Sequence, residues 1–158
     1  MMKKARVGNN MAVYKYTLDR IPPSNNEFIG RTNIGAYQSQ KKEWADVVGW
    51  LCRPRPANPI QYARVTLRYF FPDWQRRDPD NYSGKFILDG LTKMQIIEDD
   101  SFFHIKLISE CGGIDPDNPR TEIIIEELDK SYFDFGERKT PIVKKPRHKK
   151  NQFWCNSL

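Results

Sequence analysis

The sequence predicts an α/β (α+β) fold: a small β-α-β-α-β-β domain with a mixed sheet and helices packed on it. Three observations carry this expectation. Residues 13–21 (VYKYTLDRI) and 62–71 (YARVTLRYFF) alternate apolar and polar positions with the period of two that a half-buried strand needs. Each is followed by a segment whose apolar residues recur at helical spacing. The chain has 158 residues, 39% hydrophobic and 13% aromatic, which is about one domain's worth and enough to build a core.

Taken in order, the first strand places Tyr14, Tyr16 and Leu18 on one face and stops at Pro22-Pro23, where a loop, PPSNN, begins. Residues 36–51 set Tyr37, Trp44, Val47, Val48 and Leu51 on one helical stripe, with Lys41, Lys42, Glu43 and Asp46 elsewhere, and the proline-rich 53–59 ends that helix. The second strand, 62–71, is rich in β-branched and aromatic types. A charged loop, PDWQRRDPDN, follows it. From Tyr82 to Met94 the stripe of Phe86, Ile87, Leu91 and Met94 predicts a second helix starting near Asp80 and Asn81. Residues 102–109 and 122–128 are the last two strands, with CGGIDPDNPR as the loop between them.

One domain over 12–128 and a basic C-terminal extension over 129–158 are expected from the charge distribution. Residues 129–158 hold eight Lys/Arg against three Asp/Glu, whereas the first 128 hold 18 against 17, so most of the net charge of +6 sits in the extension. A near-neutral body with a basic tail suits contact with a polyanion, and such tails also occur as solvated ends. No stretch approaches the roughly 20 apolar residues of a membrane span, and the N-terminus lacks the apolar run of a secretory signal. Cys52, Cys111 and Cys155 are odd in number and form no CxxC pair, and only His104 and His148 accompany them. The sequence therefore argues against a disulfide scaffold and a zinc site, and any metal should be a hard ion held by carboxylates.

Carboxylates crowd one segment: Asp78 and Asp80 flank Pro79, Asp89 lies on the second helix, and Glu98, Asp99 and Asp100 follow it. Pro79 fixes its own φ and pushes Asp78 toward an extended shape, so the Asp-Pro-Asp unit is expected to be a rigid loop. Each acid alone has a plain structural reading as a helix cap, a turn residue or, for Lys85 and Asp89 four apart, a surface ion pair. Together they repel unless a cation or basic ligand neutralises them. A twelve-residue calcium loop would use Asp78, Asp80 and Asp89, but it fails at Tyr82, at Ser83 and in lacking a final Glu. Magnesium, which needs only a few carboxylates plus water and phosphate oxygens, fits better. Arg76 and Arg77 beside the loop, with Lys85 and Lys93 on the helix, supply the cations that a phosphodiester-cleaving site would place against phosphate.

These residues resemble a known family. RRDPDN (76–81), Lys85 four before Asp89-Gly90-Leu91, and Ile97-Glu98-Asp99-Asp100 are similar to the motif of the RusA family of Holliday junction resolvases, and Ile21-Pro22-Pro23-Ser24-Asn25-Asn26 resembles its opening motif. The resemblance covers about residues 14–128. It implies a homodimeric, Mg²⁺-dependent crossover junction endodeoxyribonuclease, with Mn²⁺ able to substitute, that binds four-way junctions in branched DNA and nicks two opposed strands. By position, Asp78, Asp80 and Asp100 match the metal-binding catalytic carboxylates and Lys85 a functional lysine. Asn81, Asp89, Asp99 and Arg77 match supporting positions. Three residues separate Asn81 from Lys85, one more than in the family's best-known member. A cytoplasmic enzyme of phage or prophage DNA processing is implied by kinship. The competing expectations are a metal-dependent nuclease acting on forks, flaps or duplexes, and a non-catalytic DNA-binding protein whose acidic loop only caps a helix. Arg31, Lys41, Lys42, Arg53, Arg55 and the tail are candidates for holding DNA arms, and the first helix with Trp44 or Trp50 is a candidate dimer face.

Overall fold

The computed structural model describes residues 11–29 and 34–137. Within them a four-stranded sheet is built from β1 (Val13–Leu18), β2 (Ala63–Phe71), β3 (Ile105–Ile114) and β4 (Arg120–Glu127), in the order β1-β4-β2-β3. β4 runs antiparallel to both β1 and β2, while β2 and β3 are parallel. The two helices, α1 (Ile34–Leu51) and α2 (Lys85–Lys93), lie against each other and over the sheet. The mixed sheet and the order β-α-β-α-β-β are those the sequence predicts, and the fold class is α+β.

Alternation decides which face meets the helices. Ala63, Val65, Leu67, Tyr69 and Phe71 of β2, Tyr16 and Leu18 of β1, and Ile123 and Ile125 of β4 are all buried. They pack with Trp44, Val48 and Cys52 of the α1 side and Phe86, Ile87, Leu88 and Leu91 of α2. The other face is polar: Arg64 pairs with Glu126, and Arg68 with Glu110 and Glu122. Burial at the size of these side chains is worth about 1.5–3 kcal/mol each, which makes this one face the principal source of stability. Trp44 is therefore a core residue and not part of a dimer face, whereas Trp50 is exposed.

Three boundaries differ from expectation for local reasons. The second helix begins at Lys85 and not at Tyr82, because Pro79–Tyr82 forms a separate 3-10 turn and Gly84, at φ +72°, reverses the chain before α2. A Cβ at Gly84 would lie 2.0 Å from Leu67 Cδ1, so glycine is required by both backbone and packing. β3 runs on through Cys111, Gly112 and Gly113, which the glycine pair had assigned to a loop. The register slips between Tyr69 and Phe70, leaving Gly112 as the bulged residue under the Phe70 ring, where a Cβ would meet Phe70 Cζ at 2.6 Å. β1 ends at Leu18 in place of residue 21.

Past Glu127 a 3-10 turn, Lys130–Phe133, is capped by the Asp129 side chain. It buries Phe133 against Tyr62, and Phe103 meets Phe135 edge-on. Arg31 and the tail from 138 onward, including His148, Cys155, Phe153 and Trp154, lie outside the described residues. Among those described, no helix is long and apolar enough to cross a membrane.

Candidate active site

The acidic loop leaves the end of β2 and folds back over the helix-facing side of the sheet. Its anchor is the Tyr82 carbonyl, which accepts hydrogen bonds from Tyr69 Oη at 3.1 Å and from Ser109 Oγ at 2.9 Å. Tyr69 sits deep in the core, and burial raises its phenol well above the ordinary value, so this donor keeps its proton. Arg77 braces the other limb. It donates to the carbonyls of Asp73 and Gln75 at 3.1 and 3.0 Å, pairs with Asp73 Oδ1 at 2.8 Å, and lies 4.6 Å over the Phe71 ring. The same contact holds the Asp73 carboxyl below its usual range. Arg77 is thus engaged in shaping the loop.

Asp78 and Asp80 are what the braced loop presents. Asp78 occupies the N-cap position of the Pro79–Tyr82 turn, yet its side chain makes no capping hydrogen bond, and both carboxylates are exposed. The reading of these acids as simple caps is not what the structure contains. Arg76, exposed and 3.2 Å from Asp78 Oδ1, is the cation nearest to hand. Asp78 looks into a cleft formed with Tyr82, Ser109, Glu110 and Cys111. Arg76, Asp78 and Asn81 also line a second cleft with Ser24, Asn26 and Glu27.

That second cleft exists because two distant loops meet. Ser24 caps the 3-10 turn Asn25–Phe28 in a capping box with Glu27. Asn25 then donates through Nδ2 to the Asp80 carbonyl at 3.1 Å and to Ser83 Oγ at 2.9 Å. Asn25, Ser109 and Glu110 also help form the site, although they fall outside the sequence's cluster of acids and bases. Asn25 had a signal in its proline-bounded PPSNN context, whereas nothing in the strand pattern marked Ser109 or Glu110.

Asp89 and Lys85 come together, but away from the loop's acids. Asp89 Oδ2 lies between Lys41 Nζ at 3.2 Å and Lys85 Nζ at 3.6 Å, with its side chain largely covered by α1. A helix-bound, lysine-paired Asp89 is incompatible with a calcium loop. Lys41, Lys42 and Lys93 surround it and form a basic cleft.

Asp99 and Asp100 sit elsewhere again. They precede the turn that leads into β3, where Ser101 O accepts from the backbone N–H groups of His104 and Ile105. The Ser101 hydroxyl, aided by nearby backbone N–H groups, holds Asp99 below the usual carboxylate range. Asp99 is therefore a turn-capping residue. Asp100 is half-buried beside it.

Asp78 and Asp80 present hard, exposed carboxylate oxygens, the donor type that magnesium takes, on a loop fixed by Pro79, Tyr82 and Arg77. Among the described residues no three His, Cys, Asp or Glu side chains form a metal-holding group, and magnesium commonly uses one or two carboxylates with water and phosphate completing the shell. The chain matches no family model and no curated protein.

Proposed function

We propose that the protein is an Mg²⁺-dependent endodeoxyribonuclease of the RusA type that resolves four-way DNA junctions as a homodimer by nicking opposed strands. The observation that carries the reading is the Asn25 bridge: PPSNN and RRDPDN, the two segments that resemble the resolvase motifs, are separated in sequence and joined in space around Asp78 and Asp80. Two resemblances that converge on one cleft support a shared role better than either does alone.

Asp78 and Asp80 hold the metal in this reading, and the bound ion supplies Lewis acidity and an activated water for phosphodiester hydrolysis. The remaining work falls to the chain itself. Arg76 places positive charge beside the phosphate that the acids would otherwise repel. Asn25 and Tyr82 hold the loop so that the carboxylates do not move as charge builds on the phosphate. Lys41, Lys42 and Lys93, with Lys85 beside them on Asp89, present a basic face for a DNA backbone.

The test is incubation of the full-length protein with a labelled four-way junction, a fork and a plain duplex, with and without Mg²⁺. Paired nicks confined to the junction and dependent on the metal are expected. Equal cutting of all three substrates would replace the resolvase by a general nuclease, and binding without cutting in either Mg²⁺ or Mn²⁺ would leave a DNA-binding protein.

A further inference from the structure

We propose that the cleft between the loop after β1 and the end of β2 receives an unstacked nucleobase next to the phosphate held at Asp78 and Asp80, so that the chain reads the base beside its cut. This rests on the nuclease reading above and adds a specificity pocket to it.

The sheet creates the space. β1 and β2 both run antiparallel to β4, so they are parallel to each other and leave the sheet at the same end. Thr121 of β4 pairs with Leu18 on one side and Tyr69 on the other. The two departing chains therefore start two inter-strand spacings apart, roughly 10 Å at ~4.8 Å each. Pro119 enters β4 between them. Pro22 and Pro23 beyond β1, and Pro72 beyond β2, cannot extend the ladder and become walls.

These four prolines, with Phe71 and Tyr82, wall a cleft of about 450 Å³. That lies within the roughly 300–1,000 Å³ of sites that take small organic groups. Its walls are fixed before any ligand arrives. Tyr82 meets Phe71 edge-on at 5.2 Å, and Arg77 lies 4.6 Å over the same Phe71 ring. On the other side, the fully buried Thr121 donates through Oγ1 to the Arg20 carbonyl at 2.9 Å. Ser24, Glu27, Arg77 and Tyr82 line both this cleft and the one that holds Arg76 and Asp78, so the two adjoin.

The lining selects the occupant. Asp19 and Glu27 against Arg20 and Arg77 leave it formally neutral, which suits a phosphate poorly, unlike the lysine cleft around Asp89. Flat apolar walls suit the face of a base. At the mouth, Asp19 and Arg20 are exposed side by side at 3.0 Å, an acceptor and a donor for a base edge. Extruding a base costs least where stacking or pairing is already broken, as at a branch point.

The experiment uses four-way junctions that differ only in the bases flanking the nicked phosphate, each made also with an abasic site there. In Mg²⁺ the full-length protein should nick one flanking base about tenfold or more faster than the others and lose that advantage at the abasic site. Pro119→Trp, which fills the cleft, and Asp19→Asn and Arg20→Gln, which remove the charges at its mouth, should bring the ratio toward one. Junction binding in EDTA gives a readout independent of cutting: wild type should bind the preferred junction more tightly than its abasic form, and the variants should bind both alike. A wild type that nicks every junction at one rate overturns the pocket and leaves the nuclease standing. Failure to nick any junction takes down the nuclease reading and the pocket with it. A preference that persists in the folded variants also overturns the pocket, and the two exposed substitutions decide the matter if Pro119→Trp does not fold.

Discussion

Asn25 and Ser83, 58 positions apart, are joined side chain to side chain at 2.9 Å, and the same Asn25 amide reaches the Asp80 carbonyl at 3.1 Å. One amide therefore ties the loop after β1 to the loop that carries the exposed acids. Asn25→Ala removes both bonds and should lower stability by about 1–2 kcal/mol, at roughly 1 kcal/mol net per bond. Its larger effect should fall on junction nicking, because displaced carboxylates lose rate steeply, by about ten- to a hundredfold. Wild-type nicking by a folded Asn25→Ala protein would remove this residue from the site's architecture.

Gly84 tests the placement of Lys85. Its left-handed φ of +72° and the 2.0 Å approach of Leu67 Cδ1 to a Cβ both oppose a side chain. Left-handed strain of about 1–2 kcal/mol and overpacking of about 1–3 kcal/mol should make Gly84→Ala roughly 2–5 kcal/mol less stable in urea unfolding. A loss under about 0.5 kcal/mol, the range of ordinary surface changes, would mean that the turn relaxes freely.

Periodicity made the strands, both helices and the element order readable, because each element buries one face and its apolar spacing records that face. Trp44 shows the limit: the helical stripe identified it as apolar, but only the position of α1 over the sheet separates the buried Trp44 from the exposed Trp50. Gly112 and Gly113 signalled a loop because glycine pairs are common in turns, and the bulge beneath Phe70 depends on a partner strand 43 positions earlier in the chain. Asp78 and Asp80 were legible by type and spacing. Their separation from Asp100 was not, since it follows from β2 and β3 being parallel neighbours, which no local pattern encodes.

The acids should divide by function when neutralised. Asp78→Asn, Asp80→Asn and Asp100→Asn should each reduce nicking by at least about a hundredfold in Mg²⁺, because amide oxygen is a poor replacement for a charged hard ligand. Thermal stability should stay within about 0.5 kcal/mol for Asp78→Asn and Asp80→Asn, as expected for exposed positions. Asp89→Asn should do the reverse. Its carboxylate faces Lys41 and Lys85, so stability falls by about 0.5–1 kcal/mol while chemistry persists. Near-normal nicking by any of the first three would exclude that residue as a ligand.

The thiols should differ sharply. Cys52 is fully buried, and burial pushes its thiol from 9.0 up to about 12, whereas Cys111 is exposed on β3. Iodoacetamide at pH 8 should label Cys111 and spare Cys52 until the protein is denatured, as peptide mass mapping would resolve. Because the fold retains a proton that the unfolded chain gives up, stability from this group is complete below pH 9 and declines as pH rises toward 12. Rapid labelling of Cys52 in the native protein would mean that the α1 end opens readily.

The basic tail should act through salt. Residues 138–158 carry seven Lys/Arg and no Asp/Glu, while the described body holds the acidic loop and the basic face around Asp89. Each cation paired with a phosphate releases counterions and contributes about 0.9 to the slope of log K against log salt, so a fully engaged tail adds at most ~6. A chain ending at Glu137 keeps Phe133 packed on Tyr62 and retains every acid of the site. It should bind junctions more weakly and with a shallower salt dependence, yet nick them in Mg²⁺ at saturating protein at the wild-type rate. The difference in slope should be larger for junctions than for duplexes, since four arms offer more phosphates within reach of one tail. Equal slopes for the two chains would exclude contact between tail and DNA. A fall in melting temperature on truncation, with slopes unchanged, would assign the tail to packing against the domain.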